Sequence, residues 1–404
     1  VLSLALQNQV EDLNFYILDF GNSALIPLNG LPHTADYMVY DDAEKMDKFM
    51  KLIQEEIAVR KKLFAEKMVQ NFSVYNQTNG EHLKAIVIVV DNFDVVRELG
   101  VDAENFFTRV SRDGAGLGIY LLITATRVNG VKYSILNNFK MKIAGFLFDA
   151  MEANTLVGKS EYKLPEMQGR ALVKTANVNI MQIYTMVAFE DDIEYNARIK
   201  ELIRGIAAKY PGRRAPRIPV LPETFVYPML ADYTDGAAEF DLAVGLEVET
   251  VTRAGLQRMA APFVIIGEAG KGKTNALRVL LNQMSGKVYL FDSSAMSLYS
   301  YRTKENLEYV QDEDMVEEFV ESLKELAEQR KQAFKEALAQ DARMTPGQFY
   351  GQQEAVYVVV DDVDNFLGIT KAHEQELPDV LMEAAECGVG MIMTVHAAKL
   401  KGYD

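Results

Sequence analysis

The chain has little of the chemistry that disulfides and zinc centres need. Its 404 residues include one cysteine, Cys387, so internal disulfides are excluded and the composition suits a reducing compartment. The four histidines are scattered without the spacing of zinc ligands, which argues against a zinc site. The longest apolar runs, at 86–90 and 356–360, have the length of strands, whereas a membrane helix needs ~20 apolar residues. We therefore expect a soluble piece of protein in which no segment crosses a bilayer.

Positive charges are outnumbered, with 42 Lys and Arg against 58 Asp and Glu, so the formal net charge is −16. This balance disfavours non-specific binding to a phosphate backbone, so nucleic acid is not expected as a partner, although a local basic groove is compatible with it. The chain begins at Val1 with neither a methionine nor a basic flank, which fits neither a signal peptide nor a natural start. We expect a fragment of a longer protein with room for two or three domains.

Residues 263–274 predict a strand that enters a glycine-rich loop, and a helical pattern follows. Gly267 and Gly272 frame four residues before Lys273 and Thr274, which is the Walker A spacing of a phosphate loop. Glycine lets successive N–H groups converge on an anion at the positive end of the next helix. A structural glycine turn is the alternative, but motif and context together favour a nucleotide site. The predicted ATP-binding residues are Gly267, Gly270, Lys271, Gly272, Lys273, Thr274 and Asn275.

Several segments recur at a spacing of 270 residues, so the chain contains an internal repeat. Residues 86–94 match 356–364, and residues 118–126 match 388–396. The helical patterns at 41–70 and 312–340 align in the same way. Apolar runs that end in acids are typical of buried parallel strands. Strands that alternate with helices predict two tandem α/β units, each with a mainly parallel, doubly wound sheet.

The repeat also gives predicted domain boundaries. The first domain, 1–210, would have its phosphate loop near residue 1, at or before the start of this chain. A proline-rich linker follows at 211–239, either as a simple tether or as a regulatory contact. The second domain, 240–404, carries the phosphate loop. Because residues 141–189 have no match in the second copy, we expect this domain to be truncated at its C-terminus, unless its natural form is shorter.

Asp361 and Asp91 each follow an apolar run, where a Walker B acid holds Mg²⁺ opposite the phosphate loop. A simple turn cap is the alternative for both. The predicted metal ligands are Thr274 and Asp361. In many such ATPases the next residue is a Glu that orients the attacking water, and here Asp362 and Asn92 stand there. Asp362 is one methylene shorter, and a misplacement of about 1 Å can cost about 10²-fold in rate.

Asn92 cannot act as a carboxylate base. We therefore expect the second copy to bind ATP and hydrolyse it slowly, and the first copy not to hydrolyse. Thr126 and His396 end the two matching segments 118–126 and 388–396, where a polar side chain commonly senses the γ-phosphate. His396 is thus a second catalytic candidate beside Asp362, with a histidine that is simply hydrogen-bonded at a strand end as the alternative.

The Walker A motif, the strand that ends Asp-x-x-Asp, and the segments 118–127, 139–144 and 169–172 together resemble the FtsK/SpoIIIE family of P-loop ATPases. Tandem divergent copies on one acidic chain are most similar to the second and third ATPase domains of the EssC/EccC motors of type VII secretion. The resemblance implies RecA-like domains that bind ATP and Mg²⁺. It also implies a homo-oligomer, a hexamer, at the cytoplasmic face of the membrane in the full-length protein.

The resemblance further implies two kinds of partner, the other ATPase domains of the same chain and secreted helical-hairpin proteins of the WXG type, recognised through a C-terminal signal. Nucleotide and Mg²⁺ roles carry over onto Gly267, Gly272, Lys273, Thr274 and Asp361. The divergent copy is marked by Asp91, Asn92, Thr126 and Arg127. Thr126 stands where DNA-pumping relatives have a Gln before the Arg.

These departures favour an ATP-binding regulatory and substrate-docking role in a secretion motor over a hydrolytic one, and whether the chain is an enzyme stays open. The main alternative is a DNA translocase of the FtsK type, which needs a basic pore and efficient hydrolysis. A scaffold with a relic phosphate loop is a third possibility. The intact motif argues against a relic, which would have no need of Lys273.

Overall fold

The chain is described by a computed structural model over residues 1–260 and 262–398, and it divides into two compact units, Val1–Val220 and Leu221–Asp404. The boundary falls inside the proline-rich stretch predicted as a linker. Residues 399–404, which close the predicted second domain, lie outside the described residues. None of the described helices is both long and apolar enough to cross a membrane.

The first unit contains a parallel sheet and a small antiparallel sheet. Its strands are β1 Leu13–Asp19, β2 Thr34–Val39, β3 Ala85–Asp91, β4 Ile119–Ile123, β5 Lys142–Ala144, β6 Arg170–Lys174 and β7 Val178–Gln182. Its helices are α1 Leu2–Gln7, α2 Ala43–Glu66, α3 Phe72–Thr78, α4 Val101–Asp113, α5 Tyr133–Leu136, α6 Ala150–Val157 and α7 Asp192–Ala207. The parallel strands lie in the order β2-β1-β3-β4, and the antiparallel strands in the order β5-β6-β7.

The second unit repeats the parallel sheet with one more strand. Its strands are β8 Leu242–Leu246, β9 Arg253–Leu256, β10 Phe263–Gly267, β11 Lys287–Phe291, β12 Leu307–Tyr309, β13 Val356–Val360 and β14 Val389–His396. Its helices are α8 Lys273–Leu281, α9 Glu313–Gln340, α10 Pro346–Gly351, α11 Val363–Ile369 and α12 Leu377–Glu386. Five parallel strands lie in the order β10-β14-β13-β11-β12, and β8 and β9 form a separate antiparallel pair.

Sequence periodicity explains the main elements. The strand β13 is a run of β-branched and aromatic residues that is buried throughout, as expected of a strand covered on both faces. The helix α9 starts at the N-cap Asp312, whose side chain accepts a hydrogen bond from Met315 N at 3.0 Å. Its buried positions recur at helical spacing and include Val316, Phe319, Val320 and Leu323.

Each parallel sheet has an apolar core on both faces, which confirms the predicted doubly wound α/β class. Alternate residues of a strand point to opposite faces. In β1, Tyr16 and Leu18 belong to the core beneath α2 and α4, whereas Phe15 and Ile17 belong to the core beneath α7. In β13 the same alternation divides the strand between the core that includes α9 and α12 and the core that includes α8.

The two sheets differ on the side that carries the phosphate loop. In the second unit β14 has β13 on one side and β10 on the other. Among the described residues of the first unit, β4 pairs with β3 and has no second neighbour. Tyr120 and Leu122 of this edge strand are exposed, and a mostly apolar cavity of about 880 Å³ lies beside it.

The first part of the proline-rich stretch packs on the first unit. Ala215 and Ile218 are buried in the core that includes α2 and β2. The Ala215 amide donates to Pro32 O at 2.8 Å, and the Ile218 amide donates to Asp36 Oδ2 at 3.1 Å. Residues 213–219 therefore lie along the outer edge strand β2 as an ordered segment of this unit.

A buried arginine fixes the same two chain segments in both units. Arg60, 2% exposed, donates to Leu117 O at 2.7 Å and to Lys84 O at 2.8 Å. Arg330 donates to Cys387 O at 2.8 Å and to Glu354 O at 2.5 Å, and all three residues lie 270 positions after their counterparts. Burial, with the nearby positive charge of Arg258, lowers the pKa of Arg330. These arginines tie a long helix to the starts of two adjacent parallel strands.

Replacing Arg60 by methionine should destabilise the first unit by about 2 kcal/mol, because two buried carbonyls lose charged donors. Hydrogen exchange measures this loss separately for each unit. We expect faster exchange of the β3 and β4 amides and unchanged exchange in β13 and β14. The control is Arg109→Met, the same substitution at an exposed position of α4, which should cost less than about 0.5 kcal/mol. Equal effects of the two substitutions would contradict a structural role for Arg60.

Candidate nucleotide site

The loop after β10 has the backbone conformation of an anion cradle. Gly270 and Gly272 have φ angles of 72° and 89°, which L-residues rarely adopt. A Cβ atom built on either glycine would meet no atom within 4 Å, so the backbone angle and not lack of space requires glycine there. Gly272 is the N-cap of α8, whose first free N–H groups lie at the positive end of the helix dipole. The loop can therefore present backbone donors to a phosphate.

The Lys273 side chain folds back over this loop. Its Nζ donates to Gly267 O at 2.8 Å and to Glu268 O at 3.0 Å. Lys271 and Asn275, which are also predicted to contact the nucleotide, flank Lys273 in the sequence, and both are exposed. The ammonium group thus lies at the junction of strand and loop, where a β- or γ-phosphate would be within its reach.

The structure brings Thr274 and Asp361 together. Thr274 Oγ1, in the first turn of α8, donates to Asp361 Oδ2 at 3.0 Å and lies 3.3 Å from Oδ1. Asp361 is 4% exposed and directly follows β13. A hydroxyl and a carboxylate that face each other are hard oxygen donors of the kind that Mg²⁺ prefers. Within the described part of the chain no group of three or more His, Cys, Asp or Glu side chains could hold a metal by itself.

A second threonine, which the sequence reasoning missed, holds the other oxygen of Asp361. Thr394 Oγ1 donates to Asp361 Oδ1 at 2.8 Å and accepts from Asp362 N at 2.8 Å. The first unit has the same arrangement, with Thr124 Oγ1 donating to Asp91 Oδ1 at 2.5 Å. Thr124 and Thr394 occupy matching positions of the repeated segments, and this match could have marked both as candidates from the sequence.

Asp362 and Asn92 share an unusual backbone conformation. Their φ angles are 72° and 55°, a region in which Asp and Asn are enriched among residues other than glycine. The Asp362 carboxylate accepts from Asp364 N at 3.3 Å and so caps α11. Asn92 donates from Nδ2 to Phe20 O at 3.4 Å. The Asp362 side chain is therefore engaged in the turn that follows its own strand, whereas the Asn92 side chain reaches the residue after the neighbouring strand β1.

His396 lies beside the phosphate loop. In the pairing of β10 with β14, Gly267 is opposite His396, and His396 Nε2 is 3.3 Å from Glu268 Oε2. Its Nδ1 accepts from Ala398 N at 3.3 Å, so in the neutral ring the proton is on Nε2 and points to Glu268. The imidazole can thereby orient a loop carboxylate next to the predicted phosphate position.

Thr126 and Arg127 are not brought to the strand-end acid Asp91. Thr126 donates to Asp94 Oδ2 from its backbone N at 2.8 Å and from its hydroxyl at 3.2 Å. Arg127 is exposed and precedes a short turn of 3₁₀ helix. Among the described residues of the first unit, the side chain that donates a hydrogen bond to the Asp91 carboxylate is that of Thr124, two positions before the predicted sensor.

The acids that end β1 and follow β11 serve the turns after them. Asp292 Oδ2 accepts from Leu298 N at 2.8 Å and from the Tyr309 hydroxyl at 2.9 Å. Asp19 Oδ2 accepts in the same way from Leu25 N and the Tyr37 hydroxyl, both at 2.9 Å. Burial and the hydrogen bond to Asp19 raise the pKa of Tyr37 to about 12. These acids are thus occupied by the turns that follow them and by tyrosines of the neighbouring edge strands.

Comparison with known proteins gives three related findings. The model of the FtsK/SpoIIIE family matches residues 1–188. The ESX secretion system protein EccC of Geobacillus thermodenitrificans is 34% identical over 352 residues, which are 85% of this chain and 24% of that protein. The ESX secretion system protein YukB of Bacillus subtilis is 32% identical over 98% of this chain and 27% of its own length. The chain thus spans about a quarter of the length of these curated relatives.

Solved structures agree with these relatives. EssC (ATPases 2 and 3) from Geobacillus thermodenitrificans has a TM-score of 0.89 and 31% identity, over 100% of this chain and 77% of that one. Thermomonospora curvata EccC (ATPases 2 and 3), solved in complex with a signal sequence peptide, has the same fold, with a TM-score of 0.52 and 20% identity over 98% of this chain and 73% of that one. The chain therefore belongs to the FtsK/SpoIIIE family and has the fold of the second and third ATPase domains of EssC.

Proposed function

We propose that the second unit binds ATP with Mg²⁺, and that the chain is a regulatory and substrate-docking part of a type VII secretion motor. The hydrogen bond between Thr274 and Asp361 carries the nucleotide part of this proposal, because it joins the phosphate loop to the strand-end acid. The named relatives, which are ESX and type VII secretion proteins, support the secretion part. In the full-length protein the expected setting is a hexamer at the cytoplasmic face of the membrane.

In this proposal each part of the site has one task. The loop amides and the start of α8 bind the phosphates, and Lys273 neutralises charge on the β- and γ-phosphates. Thr274 and Asp361 would hold Mg²⁺, which would supply positive charge to offset that of the phosphates. Gly267, Gly270, Lys271, Gly272 and Asn275 shape or flank the loop.

Slow turnover is part of the proposal. A carboxylate that caps α11 from a left-handed backbone position is poorly placed to orient an attacking water, and Asp362 is such a carboxylate. In the first unit Asn92 offers no carboxylate at the same place. Nucleotide held by the second unit would therefore act as a stabilising and regulatory ligand. The net charge of −16 and this geometry both speak against the FtsK-type DNA translocase.

Docking of a short peptide is the other half of the proposal. Residues 213–219 already lie along the outer strand β2, with Asp36 accepting the Ile218 amide. In the second unit β12 has the place of β2, because Tyr309 and Tyr37 each donate a hydroxyl to the acid of the neighbouring strand. Glu308 precedes Tyr309 as Asp36 precedes Tyr37, so a carboxylate stands at the same edge. We propose that the C-terminal signal of an export substrate binds along β12.

Loss of the phosphate-loop lysine tests the nucleotide site. Lys273→Ala should weaken ATP binding by at least about tenfold, because the charge nearest the phosphates is removed. The measurement is calorimetric titration of the purified chain with ATP and Mg²⁺. Lys335→Ala, at an exposed position of α9, removes the same charge elsewhere and should leave affinity unchanged. Equal ATP affinity of the Lys273→Ala and parent chains would contradict the proposal.

Lengthening the side chain that follows Asp361 tests the proposed slow turnover. Asp362→Glu should not accelerate phosphate release beyond about threefold, because backbone strain and loss of the cap offset the added reach. The same strain should lower the stability of the second unit by about 1 kcal/mol. Steady-state phosphate release and thermal unfolding measure the two effects, and Asp362→Asn, the residue found in the first unit, is the matched control for the fold. Brisk hydrolysis by the parent chain or the Glu variant would return the motor role to this unit.

Hydrogen exchange tests the docking edge. A synthetic C-terminal signal peptide of a WXG-type substrate should slow exchange of amides 299–310, whereas a scrambled peptide should not. The matched edge 34–39 is an internal control, since residues 213–219 already cover it. Protection that is confined to another surface would exclude β12 as the site. Salt-dependent binding of duplex DNA in place of the peptide would favour the translocase.

A further inference from the structure

We propose that Thr394 is a positioning residue for the metal in the second unit. Its hydroxyl holds one oxygen of the Asp361 carboxylate, and the other oxygen is thereby aimed at Thr274 and at a cation between the two. The inference deepens the proposed nucleotide site and rests on it. It adds a residue from β14 to a site otherwise built by the phosphate loop and β13.

The hydrogen-bond geometry defines the orientation of the Thr394 hydroxyl. A hydroxyl has one proton to donate. Thr394 Oγ1 accepts from Asp362 N at 2.8 Å, and its own proton points to Asp361 Oδ1, also at 2.8 Å. Thr394 is 1% exposed, so water does not compete for these bonds. The backbone amide therefore fixes the hydroxyl, and the hydroxyl fixes the carboxylate.

The carboxylate is left with capacity on the side of the phosphate loop. Thr274 Oγ1 is nearer to Oδ2, at 3.0 Å, than to Oδ1, at 3.3 Å. Within the described residues Asp361 is bonded by two hydroxyls and forms no ion pair, although it is 4% exposed. A buried carboxylate without a cation is costly, and a divalent ion beside Oδ2 would relieve that cost.

The first unit contains the same pair without the phosphate loop. Thr124 Oγ1 accepts from Asn92 N at 3.1 Å and donates to Asp91, as Thr394 does with Asp362 and Asp361. Among the described residues no lysine and threonine of a phosphate loop face Asp91. The hydrogen bond between threonine and aspartate can therefore be removed in either unit, and only its removal in the second unit is expected to affect nucleotide binding.

A purely structural role makes a different prediction. If Thr394 only ties β14 to the turn after β13, its loss lowers stability and leaves the effect of Mg²⁺ on ATP binding unchanged. If it positions Asp361, its loss weakens binding in Mg²⁺ and leaves binding in a chelator unchanged. The ratio of the two affinities separates the roles, because a general loss of stability affects both conditions alike.

The experiment titrates ATP into the full chain with Mg²⁺ and again with a chelator. Thr394→Val keeps the side-chain volume and removes the hydroxyl, and we expect about tenfold weaker binding in Mg²⁺ and less than about twofold change in the chelator, as for other residues that orient metal ligands. Thr394→Ser should restore affinity to within about threefold of the parent. The matched control Thr124→Val should behave as the parent does in both conditions.

An unchanged Mg²⁺ dependence in folded Thr394→Val overturns the inference, and so does a Thr394→Ser variant as weak as the Val variant. If the Val variant does not fold, Thr394→Ala provides the same comparison without a second branched methyl group. A parent chain that binds no ATP overturns the proposed nucleotide site itself. A parent that binds ATP with Mg²⁺ but ignores the loss of the Thr394 hydroxyl overturns only the positioning role.

Discussion

The buried carboxylates at the ends of the central strands are the constraint on which the site depends. A charged oxygen that is removed from water must be met by donors or by a cation. Asp361 is met by Thr274 from α8 and by Thr394 from β14, so one carboxylate joins the phosphate loop, β13 and β14. Each of these elements is placed by the register of the parallel sheet and by the cores on its two faces. The fold therefore builds the site by satisfying a single acid.

Asp292 and Asp361 follow neighbouring strands, but they accept hydrogen bonds from different kinds of donor. Asp292 accepts bonds from the turn that follows it and from Tyr309 on the adjacent edge strand, and all of these donors are structural. Asp361 instead accepts from a hydroxyl of the phosphate loop, whose own oxygen can also bind a cation. In the proposed site the metal role would therefore fall to Asp361, because the hydroxyl oxygen that bonds to it can also bind a cation. Asp19 and Asp91 repeat the first pattern and part of the second in the other unit.

Much of the fold and the position of the phosphate loop could be predicted from the sequence. The 270-residue spacing aligned the strands and helices, and the Walker A motif identified the loop. That Thr394 is the hydrogen-bond partner of Asp361 could not be predicted from the sequence. Residues 394 and 396 lie on the same face of a strand, so periodicity alone does not distinguish them. The register pairs Val360 with Met393, which brings Thr394 level with Asp361 and carries His396 past it to Gly267. Strand register depends on tertiary packing that local patterns do not contain.

Only the structure explains why Asp362 and Asn92 stand directly after the strand-end acids. From the sequence, Asp362 and Asn92 are shortened substitutes for a catalytic Glu. The structure gives both positions a positive φ, in which a short side chain that bonds to nearby backbone is favoured. Asp362 bonds to the next turn and caps α11 through Asp364 N. The backbone of this turn therefore selects Asp or Asn, and the same selection removes the reach that an efficient general base would need. The short side chain after the strand-end acid would then be a property of the turn, shared by both units, and independent of whether a phosphate loop is present.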